Sequence, residues 1–429
     1  MLKITEEFLH FIWKNQSLTG ILLESEKGSS IQVLDPGIHN QNSGPDFFNS
    51  KISIDGTIWA GNVEIHINAS DWMKHGHHND PAYDSIILHV VYYNDCIITR
   101  SNNHPVPTTL LRFPHILWEE YLALMKKENW IACENRICEI NPVYQAQWLS
   151  RLMVEKLQTR QNSLKPLFTE SASHWEDMLN RIVFRCFGMP VNTMPFELIA
   201  SQIPYTYLLR IKSDIRQLES LLFGVSGMLN KTLPDDKYME ELKLTYAHHQ
   251  LKLQSSGIHE HLWKFMRMRP SSFPPIRIAQ LASFIHNNYP LFELLKTTPS
   301  IKKMEESLRV RAGDYWNTHY LFGKESSYKI KYAGKDFFFR LVINGIVPFM
   351  FFYGKTIKED KYCEYAISLL EKLPAEKNAI IKNWTEFGVK AKNAFDSQGL
   401  LHLFNNYCKY NRCLTCQFGN YLILHGKTT

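Results

Sequence analysis

The sequence predicts an α+β protein: an N-terminal mixed α/β domain with a β-hairpin-rich sheet, followed by a mainly α-helical region. Three observations predict this. Period-two alternation and turn signals dominate up to Phe113. After Pro114 the apolar residues switch to helical spacing. At 429 residues the chain exceeds one ordinary core, so two or three domains are expected. The expected segments are 1–115, mixed α/β; 116–260, helical; and 261–429, helical and basic with a terminal cysteine cluster.

Thr5-Glu6-Glu7 precedes Phe8, Ile12 and Trp13 at helical spacing, which predicts a short helix with acids in its first turn. Leu18 to Glu24 and Ser30 to Leu34 read as strands of a hairpin around Glu26-Lys27-Gly28, and Asp35-Pro36-Gly37 is a turn. Phe47 to Ile54 and Thr57 to Ile67 flank Asp55-Gly56, the strongest short hairpin signal, because a type I′ turn needs positive φ at both central residues. In the second strand Val63, Ile65 and Ile67 alternate with Asn62, Glu64, His66 and Asn68, so Glu64 and His66 share a polar face. A histidine-rich turn with His75, His77, His78 and Asp80 follows. Asp84 to Tyr93 is nearly all apolar and reads as a strand buried on both faces, with His89 as a hydrogen-bonded core residue. Cys96 to Arg100 and Val106 to Phe113 form a closing hairpin around Asn102-Asn103. Beyond Pro114 helical spacing continues to the end, interrupted at Leu262 to Ser283, where Pro270, Pro274 and Pro275 sit among Arg267, Arg269 and Arg277.

Charge is unevenly placed. Residues 1–113 hold 7 Lys/Arg against 12 Asp/Glu, and residues 261–340 hold 14 against 6. An acidic front suits metal binding and a basic later segment suits phosphate contact. The most apolar run, Leu341 to Tyr353, is short and carries Asn344, so no membrane span is expected. The first fifteen residues do not read as a signal peptide, and a cytoplasmic location is expected. Gly354-Lys355-Thr356 and Gly426-Lys427-Thr428 lack the glycine five residues earlier that a phosphate loop requires.

Asp46, Glu64 and His66 are the leading site candidates. An aspartate opening one strand, and Glu-x-basic on the next, resembles the PD-(D/E)XK nuclease superfamily over about residues 5–115. That resemblance implies that Asp46 and Glu64 hold Mg²⁺ or Mn²⁺, and that Glu6 or Glu7 supplies a further acid, with Glu7 taken as the site residue. It implies nucleic acid as substrate. Outside the span of the resemblance, Arg267, Arg269 and Arg277, exposed among the prolines, are expected to contact phosphate, because a planar guanidinium donates bidentate hydrogen bonds. The sequence departs from the pattern where His66 replaces the usual lysine, and Lys74 is the nearest substitute. A strict two-residue turn also pairs Asp46 with Ile65, so a one-residue bulge, expected at Ala60-Gly61, is needed to bring Asp46 beside Glu64.

The whole chain is similar to a large uncharacterised bacterial family. Gly44-Pro45-Asp46-Phe47-Phe48-Asn49, Gly61-Asn62-Val63-Glu64-Ile65-His66, Ile87 to Tyr92 and the final cysteine segment carry that likeness. Cys408-x4-Cys413-x2-Cys416 has spacing suited to Zn²⁺ or an iron–sulfur cluster, with Cys133, Cys138 or His402 as the fourth ligand. The expected function is a divalent-metal-dependent, nuclease-like hydrolase. A non-catalytic scaffold binding nucleic acid or protein, and a metal-dependent hydrolase of another substrate, are the alternatives. Oligomeric state is not legible in the sequence.

Overall fold

Asp55 and Gly56 both take positive φ, 48° and 82°, and close a tight hairpin between strands β4 (Phe47–Ile54) and β5 (Thr57–Asn68). The computed structural model built around this hairpin describes residues 3–25, 28–40, 42–125, 129–230 and 236–426. The other strands of the sheet are β1 (Leu22–Ser25), β2 (Ile31–Asp35), β3 (Ile38–His39), β6 (Ile86–Tyr93) and β7 (Thr108–Arg112). Their order is β1-β7-β6-β5-β4-β2, with β3 also paired to β4. The expected β1–β2 hairpin does not form. β1 pairs with β7 and β2 with β4; the turn at Glu26-Lys27 lies outside the described residues.

The bulge lies on β4. Phe47 pairs with Val63 and Ser50 with Gly61, so three steps on β4 face two on β5. Asn49 takes φ of 57°, a left-handed conformation that Asn tolerates, and its N–H donates to Asn62 Oδ1 at 3.3 Å. Ala60-Gly61 stays regular against β4. Gly61 serves a different need: a Cβ there would lie 2.3 Å from Ile87 Cγ2 and 3.0 Å from the Ser85 carbonyl, where β6 crosses close by.

β5 and β6 are parallel, with Glu64 beside His89 and His66 beside Val91. Parallel neighbours require a crossover connection. Residues 69–85 provide it, so the histidine turn is carried back along the sheet. Trp72, fully buried, anchors it and donates from Nε1 to the Thr99 carbonyl at 3.1 Å. β6 and β7 are parallel as well, joined through a small turn in which Asn103 has φ of 60° and Val106 N–H bonds the Ile98 carbonyl.

Helix α1 (Glu6–Lys14) is capped by Thr5, whose Oγ1 accepts from Phe8 N–H at 3.3 Å. It buries Phe8, Leu9, Phe11, Ile12 and Trp13, each contributing roughly 1.5–3 kcal/mol by removal from water. The Trp13 indole donates to the Pro36 carbonyl and meets Phe47 edge-on at 6.4 Å. This seating turns Glu6 and His10, one helical turn apart, toward β4.

The chain divides into two compact units. One comprises residues 1–149, 382–390 and 400–429, and the other 150–381 and 391–399. The first holds the whole sheet. The second is helical, with a two-stranded pairing of His319–Leu321 and Lys324–Glu325. Its core gathers Phe184, Phe187, Phe196, Phe223, Phe284 and Trp316. The stretch Lys335–Ile357 is long and apolar enough to cross a membrane, yet 78% of its apolar window is buried within the protein. A π-helical turn, Val342–Ile346, sits just before Pro348, where proline removes one backbone donor and crowds the carbonyl four residues back.

Candidate metal centre

Alternation along β5 sends Glu64 and His66 to one face, and both are buried, 4% and 2% exposed. Past the bulge Asp46 stands opposite Glu64. Its N–H donates to Glu64 Oε2 at 3.1 Å, and its Oδ2 accepts from Ile65 N–H at 2.9 Å. Thus Asp46, Glu64 and His66 come together at the open end of the Asp55-Gly56 hairpin.

The crossover adds two histidines. His77 Nε2 lies 3.2 Å from Glu64 Oε1, and its ring stacks on Tyr83 at 3.8 Å. His75 Nδ1 lies 3.1 Å from His66 Nε2, and His66 Nε2 lies 3.7 Å from Glu64 Oε1. One ligand atom from each of His66, His75 and His77 falls within 4.8 Å of the others. An ion about 2.0–2.1 Å from each nitrogen sets donors about 3.3 Å apart in a tetrahedron, close to the separations here. His75 is exposed, so solvent reaches the group from that side. Behind it, His66 Nδ1 lies 2.9 Å from His89 Nε2, and His89 is fully buried. Were His66 Nε2 to hold an ion, its Nδ1–H would donate to His89, the outer contact that fixes a ligating imidazole.

The electrostatics suit neutral imidazole ligands. Burial, then the neighbouring His89, His77 and His75, push His66 down to about 3. Burial, then His77, push His89 down to about 3. Burial raises the Glu64 carboxyl against the opposing hydrogen bond from His77, and the Asp46 charge raises it further. Three imidazoles with one carboxylate favour a first-row ion such as Mn²⁺ or Zn²⁺ over Mg²⁺, which prefers oxygen donors.

His10 is the residue that sequence reasoning missed. Its Nε2 lies 3.1 Å from Asp46 Oδ2. Burial disfavours its charge, but the Asp46 carboxylate outweighs this and holds it above the usual imidazole range. Asp46 is correspondingly lowered, its own burial being outweighed by His10. Glu6 feels His75, Asp46 and His10, and burial raises its carboxyl. Glu6, one turn before His10, was the available signal. Glu7, the acid taken from sequence, is exposed and faces Tyr121 instead, because it sits about 100° round the helix.

Other candidates fall elsewhere. Lys74 does not fill the lysine position: it is exposed and bonds Asp71 Oδ1 at 2.6 Å. His78 pairs with Asn79, and Asp80 caps Ala82. Arg267, Arg269 and Arg277 belong to the helical unit. Arg267 and Arg269 are exposed. Arg277 is engaged with Gln280 Oε1 at 2.9 Å and Ser272 Oγ at 3.3 Å, lies over the Phe337 ring, and is pushed down to about 10 by burial. Cys408, Cys413 and Cys416 belong to the unit that holds the sheet, as does Cys133.

No curated protein and no solved structure matches the chain, and the nuclease-like resemblance gains no support from these comparisons. One family matches residues 6–379, a span that includes every residue of the histidine–carboxylate group and stops short of Cys408. The chain belongs to that family, described as Protein of unknown function (DUF2851).

Proposed function

We propose that this protein is a metal-dependent hydrolase whose centre is Glu64, His66, His75 and His77. The observation that carries the reading is the convergence of Glu64 Oε1, His66 Nε2, His75 Nδ1 and His77 Nε2 at 3.1 to 3.7 Å between neighbours. A divalent ion held by these residues would supply Lewis acidity and an activated water at neutral pH. The protein's own residues do the rest. His89 orients His66, and the Tyr83 stack orients His77. Asp46, fixed by the Ile65 amide and ion-paired with His10, is the carboxylate that would orient the attacking water, and the pair with His10 keeps it ionised. Exposed His75 marks the side from which substrate approaches.

Phosphodiesters in nucleic acid are the first substrate class to test. The order of Asp46 and Glu64 on an antiparallel hairpin still supports it, while the missing lysine and the acidic front of the chain do not. The test is hydrolysis of single- and double-stranded DNA and RNA, and of bis-(p-nitrophenyl) phosphate, with Mn²⁺ or Zn²⁺. Turnover lost in Glu64→Gln and His77→Ala supports the reading. A second reading, a scaffold without a reaction, rests on the His89–His66–His75 chain, which pairs both His66 nitrogens without an ion. Failure to bind either ion selects it.

A further inference from the structure

The terminal cysteines meet a fourth. Cys408 starts a single 3₁₀ turn, Cys408–Tyr410, and Asn411 reverses the chain at φ of 53°. Cys416 is the residue before the helix Gln417–Leu424. The Phe418 and Gly419 N–H groups at the start of that helix, and the Trp148 indole, act against the burial that raises the Cys416 thiol. N–H groups at a helix start favour a sulfur that has lost its proton. Gly419 lets Cys413 pass: a Cβ there would lie 2.2 Å from the Cys413 carbonyl.

Aromatic packing brings Cys133 to the same place. Trp130, three residues before it, stacks on Phe404 with centroids 4.6 Å apart, and Trp148 meets Tyr407 edge-on at 5.5 Å. The turn carrying Cys133 is thereby docked beside the segment carrying Cys408. Cys133 and Cys416 are buried, and none of the four is in a disulfide. The Cys416 N–H donates to the Cys413 carbonyl at 3.3 Å, and the charges of Cys416, Cys133 and Cys413 all reach Cys408. Among the described residues only the histidines place three ligand atoms within 4.8 Å of one another, so a metal would have to draw these sulfurs closer. The other two residues considered as fourth ligand fit less well. Cys138 is exposed, and His402 Nδ1 is held by Asn406 at 3.0 Å.

We infer that Cys133, Cys408, Cys413 and Cys416 form a four-thiolate site for a thiophilic metal, either Zn²⁺ or an iron–sulfur cluster. A cation removes the thiol protons and reverses the repulsion that four converging anionic sulfurs would suffer. It ties the turn at Cys133 to a segment some 270 residues later, and long loops gain most from such a clip. This site does not depend on the histidine–carboxylate centre.

The experiment is metal and sulfide analysis of full-length protein purified without oxygen, with thiol mapping by alkylation and mass spectrometry. In a Glu64→Gln/His77→Ala background, which disables the histidine–carboxylate centre, zinc at about one equivalent per chain, or iron with matching acid-labile sulfide and visible absorption, is expected; the two outcomes separate the two occupants. In native protein Cys133, Cys408, Cys413 and Cys416 should resist alkylation and become reactive after chelation, while Cys138 reacts throughout. Cys133→Ser should lose the metal, and Cys138→Ser and Glu64→Gln should keep it. Absence of both metals, or a protected set that omits Cys133, overturns the inference. The wild-type map decides even if Cys133→Ser fails to fold.

Discussion

Glu64→Gln separates the cost of the histidine–carboxylate centre from its use. Without metal, burial and the Asp46 charge penalise the Glu64 carboxylate. Glutamine removes that charge, and its side-chain oxygen can still accept the Asp46 N–H that now meets Glu64 Oε2 at 3.1 Å. The metal-free variant is therefore expected to be at least as stable as wild type. With metal the order reverses. An ion at 100 times its Kd stabilises the folded state by about 2.7 kcal/mol. For a unit in the 150–250-residue range each kcal/mol moves Tm by about 2–4 °C, so wild type should gain about 5–10 °C. The variant loses the only anionic donor of the set and should gain less than half of that. Thermal melts followed by circular dichroism, with EDTA and with excess Mn²⁺, measure both. Mn²⁺ is chosen because thiolates favour zinc and iron, which keeps the cysteine site out of the comparison. An equal Mn²⁺ gain in wild type and Glu64→Gln, or none in wild type, refutes the assignment of Glu64 as a ligand.

Two further predictions test the frame around the sites. Gly61→Ala should destabilise by about 1–3 kcal/mol, because the new Cβ would meet Ile87 Cγ2 at 2.3 Å with the Ser85 carbonyl at 3.0 Å; an unchanged urea midpoint would show that β6 gives way freely. In the helical unit, burial pushes Glu219 from 4.5 up to about 7. Folding thus favours its protonated form, so this contribution is complete below pH 4.5 and is lost as pH rises through 7. The loss is up to about 3 kcal/mol, and Glu219→Gln should flatten that part of the stability–pH curve; an unchanged slope between pH 5 and 8 by urea titration counts against it.

The sequence by itself determined the α+β class, the Asp55-Gly56 hairpin and the shared face of Glu64 and His66, because turn chemistry and period-two alternation are local. It also required a bulge to align Asp46, since register is arithmetic along two adjacent strands. It did not locate that bulge: Asn49 and Gly61 both suit one, and only the close pass of β6 over Gly61 assigns them different work. Nor did it distinguish Glu6 from Glu7, which depends on which face of α1 the burial of Trp13 turns inward. The sequence marked the histidine turn as a source of further ligands near Glu64, but not which of His75, His77, His78 and Asp80 reach it. His75 and His77 reach Glu64 and His66 because β6 pairs parallel to β5, which makes residues 69–85 a crossover and not a simple turn. His10 and Cys133 lie even further from their partners in sequence. Packing of α1 on β4, and of Trp130 and Trp148 on the C-terminal aromatics, supplies both contacts. Contacts between distant segments arise from whole side-chain surfaces competing for burial, and no local spacing encodes that competition.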